Sequence, residues 1–534
     1  MVSCRLLPVS KFLIGGISMD FKLNREEITS AEVIFDDTQE QSVELDYVLP
    51  DYFPEIFKII KCMTSPKILS YSTAGDRLTY EMAVYIRVLY CAENSSAVQS
   101  VEQKLTYTKT VEFGKAVIDP RICIVPKIDY INCRAVNSRR IDIRGAVSIK
   151  IKVTALDKKE IVCDAFGGNI QLKKIPVTFP ANKLYTTKRI TVSEEFDLGM
   201  SKPPIVNILR SDAVIASGDK KVIANKLIAK GEAYISMLYS CRRDDTDSIE
   251  SMQFTLPFSQ IIDLEGIDER FVCTVEEEII SCDIEPRSDG DGNSKVACCT
   301  ASILITCSAY RTASAELAVD EYSTSYKTES MKSDVKIELP PRQINSSCVA
   351  KGTLDYSEGG IDCIYDVWCS VNSVTAKPDP ENNCIAINGT AVYCVMAKNT
   401  DGEPVMLEKE EPFTATVPAE GLDSMSAAEV KLIPISCSYN LASDSSVEAK
   451  AELKITGEIT GTANICCITD LAVDEDEPVK KNGDYAIKLY FTDENEDLWE
   501  IAKKYGTSVS AIMEENDIDD EIVSGSGMIL IPIL

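Results

Sequence analysis

The stretch "EMAVYIRVLYCAEN" (81–94) decides the fold of this chain, because its plan recurs twice later in the sequence. It is an apolar, strand-like run that ends in a polar loop. The two later stretches with this plan are "KGEAYISMLYSCRR" (230–243) and "NGTAVYCVMAKNTD" (388–401). Leu89, Leu238 and Met396 fall at equivalent positions, which gives periods of 149 and 158 residues. A period of this length indicates a repeated domain, because solenoid units are only about 20–50 residues long.

Two further landmarks recur in the same order. After each aligned Leu or Met, a second apolar run carries an aromatic residue followed by a hydroxyl residue. These pairs are Tyr107-Thr108, Phe258-Ser259 and Phe413-Thr414. A cysteine follows later in each copy, at Cys133, Cys282 and Cys437, with spacings of 149 and 155 residues. Three landmarks in one order predict three copies of one domain.

Each copy is dominated by short runs with β-type alternation. In "RIDIRGAVSIKIKV" (140–153), for example, apolar and β-branched residues alternate with polar ones. Gly231 and Gly389 align with each other, where Met82 stands in the first copy, and glycine inside a strand indicates a bulge or a close backbone approach. We therefore predict a mainly β protein with three tandem β-rich domains, as sandwiches or open barrels. Each copy is expected to fold independently.

The predicted domain boundaries follow from these landmarks and from shifts in composition. They are an N-terminal extension at 1–40, repeats at 41–165, 188–325 and 350–470, a linker at 471–483, and a C-terminal module at 484–534. The first 18 residues have a broken apolar patch that only weakly resembles a signal peptide. Met19 is a possible true start, so we interpret residues 1–18 as an extension.

Composition and charge exclude several classes of function. The formal net charge of -29 argues against nucleic-acid binding, which needs clustered Lys and Arg. No apolar run approaches the ~20 residues of a membrane span. The chain has 20 cysteines without a C-x-x-C pair, mostly inside apolar runs, which favours reduced and buried thiols in a reducing compartment.

Candidate catalytic and metal-binding groups are also missing from the sequence. The chain contains no histidine, so Cys-His and Ser-His dyads and His-bearing zinc sites are excluded. No phosphate-binding glycine loop is present. We therefore expect no catalytic residue, no metal site and no cofactor. The three repeated cysteines are interpreted as core residues.

The last 51 residues form a different unit. Their predicted elements are a strand at "YAIKLYF" (485–491), a helix at "EDLWEIAKKYG" (496–506), a helix at "SVSAIMEEN" (508–516) and a strand at "GMILIP" (527–532). Gly506 is placed to end the first helix and Ser508 to cap the second. This β-α-α-β order resembles the LysM domain, most specifically in "LWEIAKKYGTSV" and the closing "LIP".

The resemblance to LysM implies a groove between two loops that holds N-acetylglucosamine in glycan-binding members. The candidate partner- or glycan-binding residues at these loops are Asn495, Glu496, Asp497, Leu498, Trp499, Asn516, Ile518, Ser524 and Gly525. The usual Gly-Asp-Thr is replaced by Asn495-Glu496-Asp497. Trp499 is interpreted as a core residue, with a sugar platform as the alternative, and Glu496 and Asp497 are expected to be exposed.

The module is strongly acidic. From Asn482 to Leu534 it has twelve Asp and Glu against three Lys, a net charge of -9. Crowded carboxylates attract neither a neutral sugar nor an anionic wall polymer, whereas they would steer in a basic protein face. The module is therefore predicted to bind a protein through complementary charge, and a merely solvated acidic surface is the alternative.

Three stretches resemble the opening of the SPOCS domain, a β-rich domain of spore-forming bacteria. They are "SVELDYVLPDYFPEIFKIIKC" (42–62), "ITVSEEFDLGMSKPPIVNIL" (190–209) and "GTLDYSEGGIDCIYDVWC" (352–369). Three such repeats before one LysM domain resemble a family of spore-coat assembly proteins. The resemblance implies a non-enzymatic adaptor in the mother-cell cytoplasm, at the forespore surface. It also implies that the chain binds the stage IV sporulation morphogenetic ATPase and other coat proteins. The alternative is an exported protein that binds peptidoglycan glycan.

Overall fold

The computed structural model describes residues 21–92, 97–117, 120–243, 246–479, 486–523 and 525–533. Three blocks of six long strands follow one another. The first block has β1 (Lys22–Val48), β2 (Ile56–Ala74), β3 (Arg77–Ala92), β4 (Val98–Glu112), β5 (Arg121–Asn137) and β6 (Arg140–Phe166). The second has β7 (Ile170–Asp197), β8 (Asn207–Ile223), β9 (Lys226–Arg243), β10 (Thr246–Asp263), β11 (Val272–Arg287) and β12 (Val296–Ser323).

The third block is flanked by two further strands, and the C-terminal module follows it. After β13 (Tyr326–Glu338) come β14 (Arg342–Asp355), β15 (Ile361–Asp379), β16 (Cys384–Asn399), β17 (Pro404–Pro418), β18 (Ala427–Ser443), β19 (Ser446–Thr460) and then β20 (Thr462–Pro478). The module consists of β21 (Ile487–Thr492), α1 (Leu498–Tyr505), α2 (Val509–Asn516) and β22 (Gly527–Pro532). Neither α1 nor α2 has the length and apolar character that a bilayer-spanning helix needs, and the described residues contain no other α-helix.

Every block has the same topology. In each, the first, sixth and fifth strands form one antiparallel sheet, and the second, third and fourth strands form another. The two sheets of a block enclose its own apolar core. The prediction of a mainly β chain with three tandem domains is thus confirmed, and the domains are sandwiches of open sheets rather than closed barrels.

The aligned glycines and aromatic residues are cross-strand partners. Met82 lies opposite Tyr107 in the first block, and Gly389 lies opposite Phe413 in the third. A Cβ added to Gly389 would stand 2.7 Å from Cζ of Phe413. The glycine therefore makes room for an aromatic ring on the neighbouring strand, which is the close approach that the sequence indicated.

The sandwiches are joined by a central hub of three two-stranded ribbons. The start of β1 pairs with the end of β6, the start of β7 pairs with the end of β12, and β13 pairs with β20. The ribbons meet around a shared buried core. Its members are Ile28, Ile161, Val177, Phe179, Leu317, Val335, Ile337 and Cys467.

The hub explains where the structure differs from the predicted boundaries. Residues 22–40 form most of β1, so they are not an extension. The predicted starts at 41, 188 and 350 fall inside β1, β7 and β14. Strands β1 and β7 each run from hub to sandwich, with only a local register shift along the way, so composition alone did not locate the boundary. The predicted extension 1–18 lies outside the described residues.

The three sandwiches also close into a ring with approximate threefold symmetry. Strand β4 contacts β8 of the next sandwich, β10 contacts β15, and β17 contacts β2 of the first. On the axis of this ring lie Leu89, Leu238 and Met396, the three residues aligned by the sequence period, and all three are fully buried in one cluster. The repeat therefore produces a closed assembly within a single chain.

Candidate functional site

The C-terminal module has well-formed helix ends. Asp497 caps α1 by accepting a hydrogen bond from the backbone N–H of Trp499 at 2.9 Å. The helix ends at Gly506, whose left-handed φ of 65° lets its N–H reach the carbonyl of Ala502. Ser508 caps α2 through the N–H of Ala511 at 3.2 Å. The expected stop and cap, Gly506 and Ser508, lie where the sequence placed them.

The candidate loop residues mostly hold the module together. The backbone N–H of Asn495 donates to the carbonyl of Val523 at 2.9 Å, and Asn495 adopts a left-handed φ of 64°. The carboxylate of Glu496 accepts the hydroxyl of Tyr490 at 2.6 Å and the N–H of Asp493 at 3.0 Å. This hydrogen bond from the phenol to Glu496 raises the pKa of Tyr490 to about 12.

Asn516 joins α2 to the last strand. Its Nδ2 donates to the carbonyls of Ile512 and Leu530, both at 2.7 Å, and its Oδ1 accepts the N–H of Leu530 at 2.6 Å. Ile518 packs against the module core and its N–H bonds to the carbonyl of Met513 at 3.1 Å. These residues fix the position of the second loop.

The remaining candidate residues have three different positions: some are buried in the module core, one caps a helix, and one is exposed to solvent. Leu498 is fully buried, and Trp499 keeps only 5% of its surface exposed, in agreement with its interpretation as a core residue. A β-bridge between Asp497 and Ile522 ties the two loops together. Gly525 is exposed, and Ser524 lies outside the described residues.

One face of α1 packs against the hub. The indole Nε1 of Trp499 donates to Oδ2 of Asp320 on β12 at 2.8 Å, and Nζ of Lys503 donates to the same oxygen at 2.6 Å. Lys332 on β13 reaches the other carboxylate oxygen at 2.9 Å. Burial acts to raise the pKa of Asp320, but the hydrogen bonds from Lys503, Lys332 and Trp499 outweigh burial and hold this pKa well below its usual range.

Two further hub residues, Tyr322 and Lys173, also contact the module. The ring of Tyr322 meets that of Trp499 edge-on, with 4.9 Å between centroids, and its hydroxyl donates to the carbonyl of Thr507 at 2.7 Å. Lys173 on β7 pairs with Asp497 at 2.5 Å, and this hydrogen bond raises the pKa of Lys173. Lys173, Asp320, Tyr322 and Lys332 are called the hub seat below.

The hub seat corrects the expectation that Glu496 and Asp497 are freely exposed. Asp497 caps a helix and pairs with the hub, and Glu496 holds the first loop, so neither is a free surface charge. Sequence reasoning missed the hub seat because its residues lie more than 150 positions from the module. No local pattern marks them, and only the fold brings them together.

The sheet of the module has an exposed apolar face. Its inner face packs on the helices through Ile529 and Ile531. Its outer face presents Leu489 and Phe491, which are 59% and 77% exposed. Ile487 and Met528 are also exposed on this side. We call Ile487, Leu489, Phe491 and Met528 the outer sheet face.

Comparison with protein families gives two matches. The model described as "SipL, SPOCS domain" matches residues 55–136 and 204–286, and the LysM domain model matches residues 494–525. The chain therefore contains SPOCS and LysM domains, and in this combination it is similar to SipL. These are the domains of a sporulation-related protein, which confirms the resemblance drawn from the repeats and from the module. Searches of curated proteins and of solved structures gave no match.

The SPOCS matches lie within equivalent parts of the first two sandwiches. They run from the start of the second strand to the fifth, over β2–β5 and β8–β11. The third block lies outside the matched residues, yet it has the same strand order. A third SPOCS-like copy is therefore supported by topology, through its strand pairing.

The repeated cysteines Cys133, Cys282 and Cys437 are partly buried, and each packs against the core of its own sandwich. Burial raises the pKa of Cys437 to about 12, and a contact with Cys299 at 3.8 Å raises that of Cys282. Both thiols therefore remain protonated near neutral pH, a poor state for a nucleophile or metal ligand. Within the described part of the chain, no group of three or more Cys, Asp or Glu is arranged to hold a metal ion.

Proposed function

We propose that the protein is a non-enzymatic adaptor of spore-envelope assembly. It would act in the mother-cell cytoplasm, encase the forespore, and bind the stage IV morphogenetic ATPase and other coat proteins. Two findings support this proposal: the SPOCS and LysM domains, and the outer sheet face of the module. The outer sheet face carries the most weight, because it groups several exposed apolar side chains on one small sheet.

The outer sheet face has the chemistry of a protein-binding surface. Exposed apolar side chains that are adjacent in one sheet are typical of interaction sites, and aromatic residues contribute strongly to binding. Phe491 lies directly opposite Met528, and Leu489 lies opposite Leu530. Burial of these side chains against a partner would remove apolar surface from water, which favours binding.

Exposed acidic side chains in the two loops of the module define the partner further. Exposed Asp493 and Glu494 follow β21, and exposed Asp519 and Asp520 lie in the second loop. A partner with an apolar patch bordered by Lys and Arg would match both features. The charges speed association and orient the partner, while the apolar contact slows dissociation.

Capture of the ATPase by the full chain tests the proposal. Phe491→Ala should weaken capture by about 1–3 kcal/mol, the usual effect of removing a central aromatic contact. Met200→Ala is the matched control, because Met200 is fully exposed on the second sandwich, far from the module in sequence. Affinity should also fall as salt rises from low to high concentration. Unchanged capture by Phe491→Ala would remove the support for this surface.

The glycan-binding alternative is supported by the LysM domain itself. Two of its candidate residues are engaged within the chain, since Asp497 pairs with Lys173 and Trp499 packs on Tyr322. Binding of chitin oligomers to the full chain should therefore be weak. Tight chitin binding together with no ATPase capture would favour the exported wall-binding protein over the adaptor.

A further inference from the structure

The contact between the module and the hub centres on one carboxylate. Asp320 accepts hydrogen bonds from Trp499 and Lys503 of the module and from Lys332 of the neighbouring ribbon. One side chain therefore links β12, β13 and α1. The side chains of Asp320, Lys332 and Lys503 keep 21%, 37% and 36% of their surface exposed, so water reaches this cluster in part.

The hydrogen bond from Trp499 to Asp320 contributes more to docking of the module than the ion pairs around it. Part-exposed ion pairs contribute little by themselves, about 0–1 kcal/mol. The indole N–H of Trp499 is different, because its side chain is 95% buried and its hydrogen-bond acceptor is Asp320. Removal of that acceptor leaves a buried donor unsatisfied, which disfavours the docked state. Docking therefore depends on the carboxylate more than exposed ion pairs suggest.

The hub seat and the outer sheet face lie on opposite sides of the module. Helix α1 covers the inner face of the module's sheet and turns Trp499 and Lys503 to the hub. The outer sheet face, with Leu489 and Phe491, points away from the helices. A docked module therefore presents its apolar face to solvent in one fixed direction.

We propose that the hub seat is a latch for the module, with Asp320 as the positioning residue. When the latch is closed, the module is a rigid part of the ring. When it is open, the module is joined to the ring only through the chain between Pro478 and Ile487. This inference extends beyond partner binding, because latch closure is a property of the chain alone and is measured without any partner.

Tryptophan fluorescence tests the latch directly. The chain has two tryptophans, so Trp368→Phe leaves Trp499 as the single reporter. In this background, Asp320→Ala should move the emission to longer wavelength and increase quenching by acrylamide. Loss of charge-assisted hydrogen bonds should reduce the ratio of docked to free module by about tenfold or more.

Three further variants make the result decisive. Asp334→Ala is the matched control, because Asp334 is an exposed carboxylate on β13 outside the hub seat, and it should leave the emission unchanged. Lys503→Ala removes a hydrogen bond that the module donates to Asp320, so it should shift the emission in the same direction as Asp320→Ala. Asp320→Asn keeps an acceptor for the indole N–H, so its shift should be smaller than that of Asp320→Ala.

Circular dichroism separates opening of the latch from unfolding. Each variant should keep the strand spectrum of the ring while Trp499 becomes accessible. Unchanged emission and quenching in both Asp320→Ala and Lys503→Ala would overturn the proposal. A shift equal to that of the Asp334→Ala control would overturn it as well. If Asp320→Ala loses its strand signal, Lys503→Ala decides between these outcomes.

Discussion

Two adjacent cysteines show how strongly a β-strand separates its neighbours. Cys466 is exposed, whereas Cys467 is fully buried in the hub core, because successive side chains of a strand point to opposite faces. Burial also raises the pKa of Cys467 to about 11. The thiol of Cys467 is therefore both sheltered and protonated at pH 8, and thiolate is the reactive form.

Brief alkylation of the native protein at pH 8 should modify Cys466 well before Cys467. Peptide mass spectrometry distinguishes the two sites, and denaturation should remove the difference. The same measurement after denaturation without reductant counts the free thiols, which are expected to be the large majority of the 20. Equal native rates at the two positions would contradict the burial of Cys467. Extensive disulfides would contradict the expectation of a reducing compartment.

At the scale of the element, the packing of β16 against β17 requires a glycine at position 389, opposite Phe413. The ring of Phe413 lies where a Cβ of Gly389 would be. Gly389→Ala must therefore displace the ring or the strand, and such overpacking costs about 1–3 kcal/mol. Urea unfolding of the full chain measures this cost. Gly402→Ala does not serve as a control, because Gly402 has a φ of 86° that favours glycine.

Gly290→Ala is the better control for the crowding at Gly389. A Cβ at Gly290 would meet nothing within 4 Å, and Gly290 does not have a positive φ. The stability of this variant should stay close to that of the unchanged chain, since exposed substitutions usually have small effects. Equal destabilisation by both variants would show that ring crowding at Gly389 is not the cause.

The sequence predicted elements better than it predicted their long-range pairing. The period aligned Leu89, Leu238 and Met396, and the helix signals placed Gly506 and Ser508 at helix ends, whereas the capping role of Asp497 came only from the structure. The ribbons of the hub were not predicted, because the pairing of Ile28 with Lys159 depends on residues 131 positions apart. No local pattern records such a pairing. For the same reason, the hub seat was missed while the core role of Trp499 was recognised.

At the scale of the whole molecule, the hub and ring axis argue against independent copies. A fragment of residues 41–165 lacks the part of β1 that pairs with the end of β6. In the full chain, Ile161 is fully buried in the hub core and Leu89 is fully buried on the ring axis. The fragment lacks the neighbours that cover these two side chains, so both would be exposed. Such bare apolar surface favours aggregation.

The fragment 41–165 should therefore associate and lack a cooperative melt, contrary to the sequence expectation. A chain of residues 21–479 keeps all three sandwiches and the whole hub, so it should melt cooperatively with a strand-dominated circular dichroism spectrum. Size-exclusion chromatography and thermal melts of the two fragments measure this difference. A monomeric fragment 41–165 with a sharp melt would restore the view that each copy folds alone.

The pairing of β13 with β20 sets the order in which a newly made chain can finish folding on the ribosome. The first two ribbons are complete once Phe166 and Ser323 have been synthesised, but β13 must wait for Pro478. Until Ala463 and Ile465 have been made, Val335 and Ile337 lack their partners on β20, and such surface attracts chaperones and proteases. The module follows β20 in the sequence, so it is made after all the strands of the hub. A docked module therefore marks a chain in which all the strands of the hub have been made.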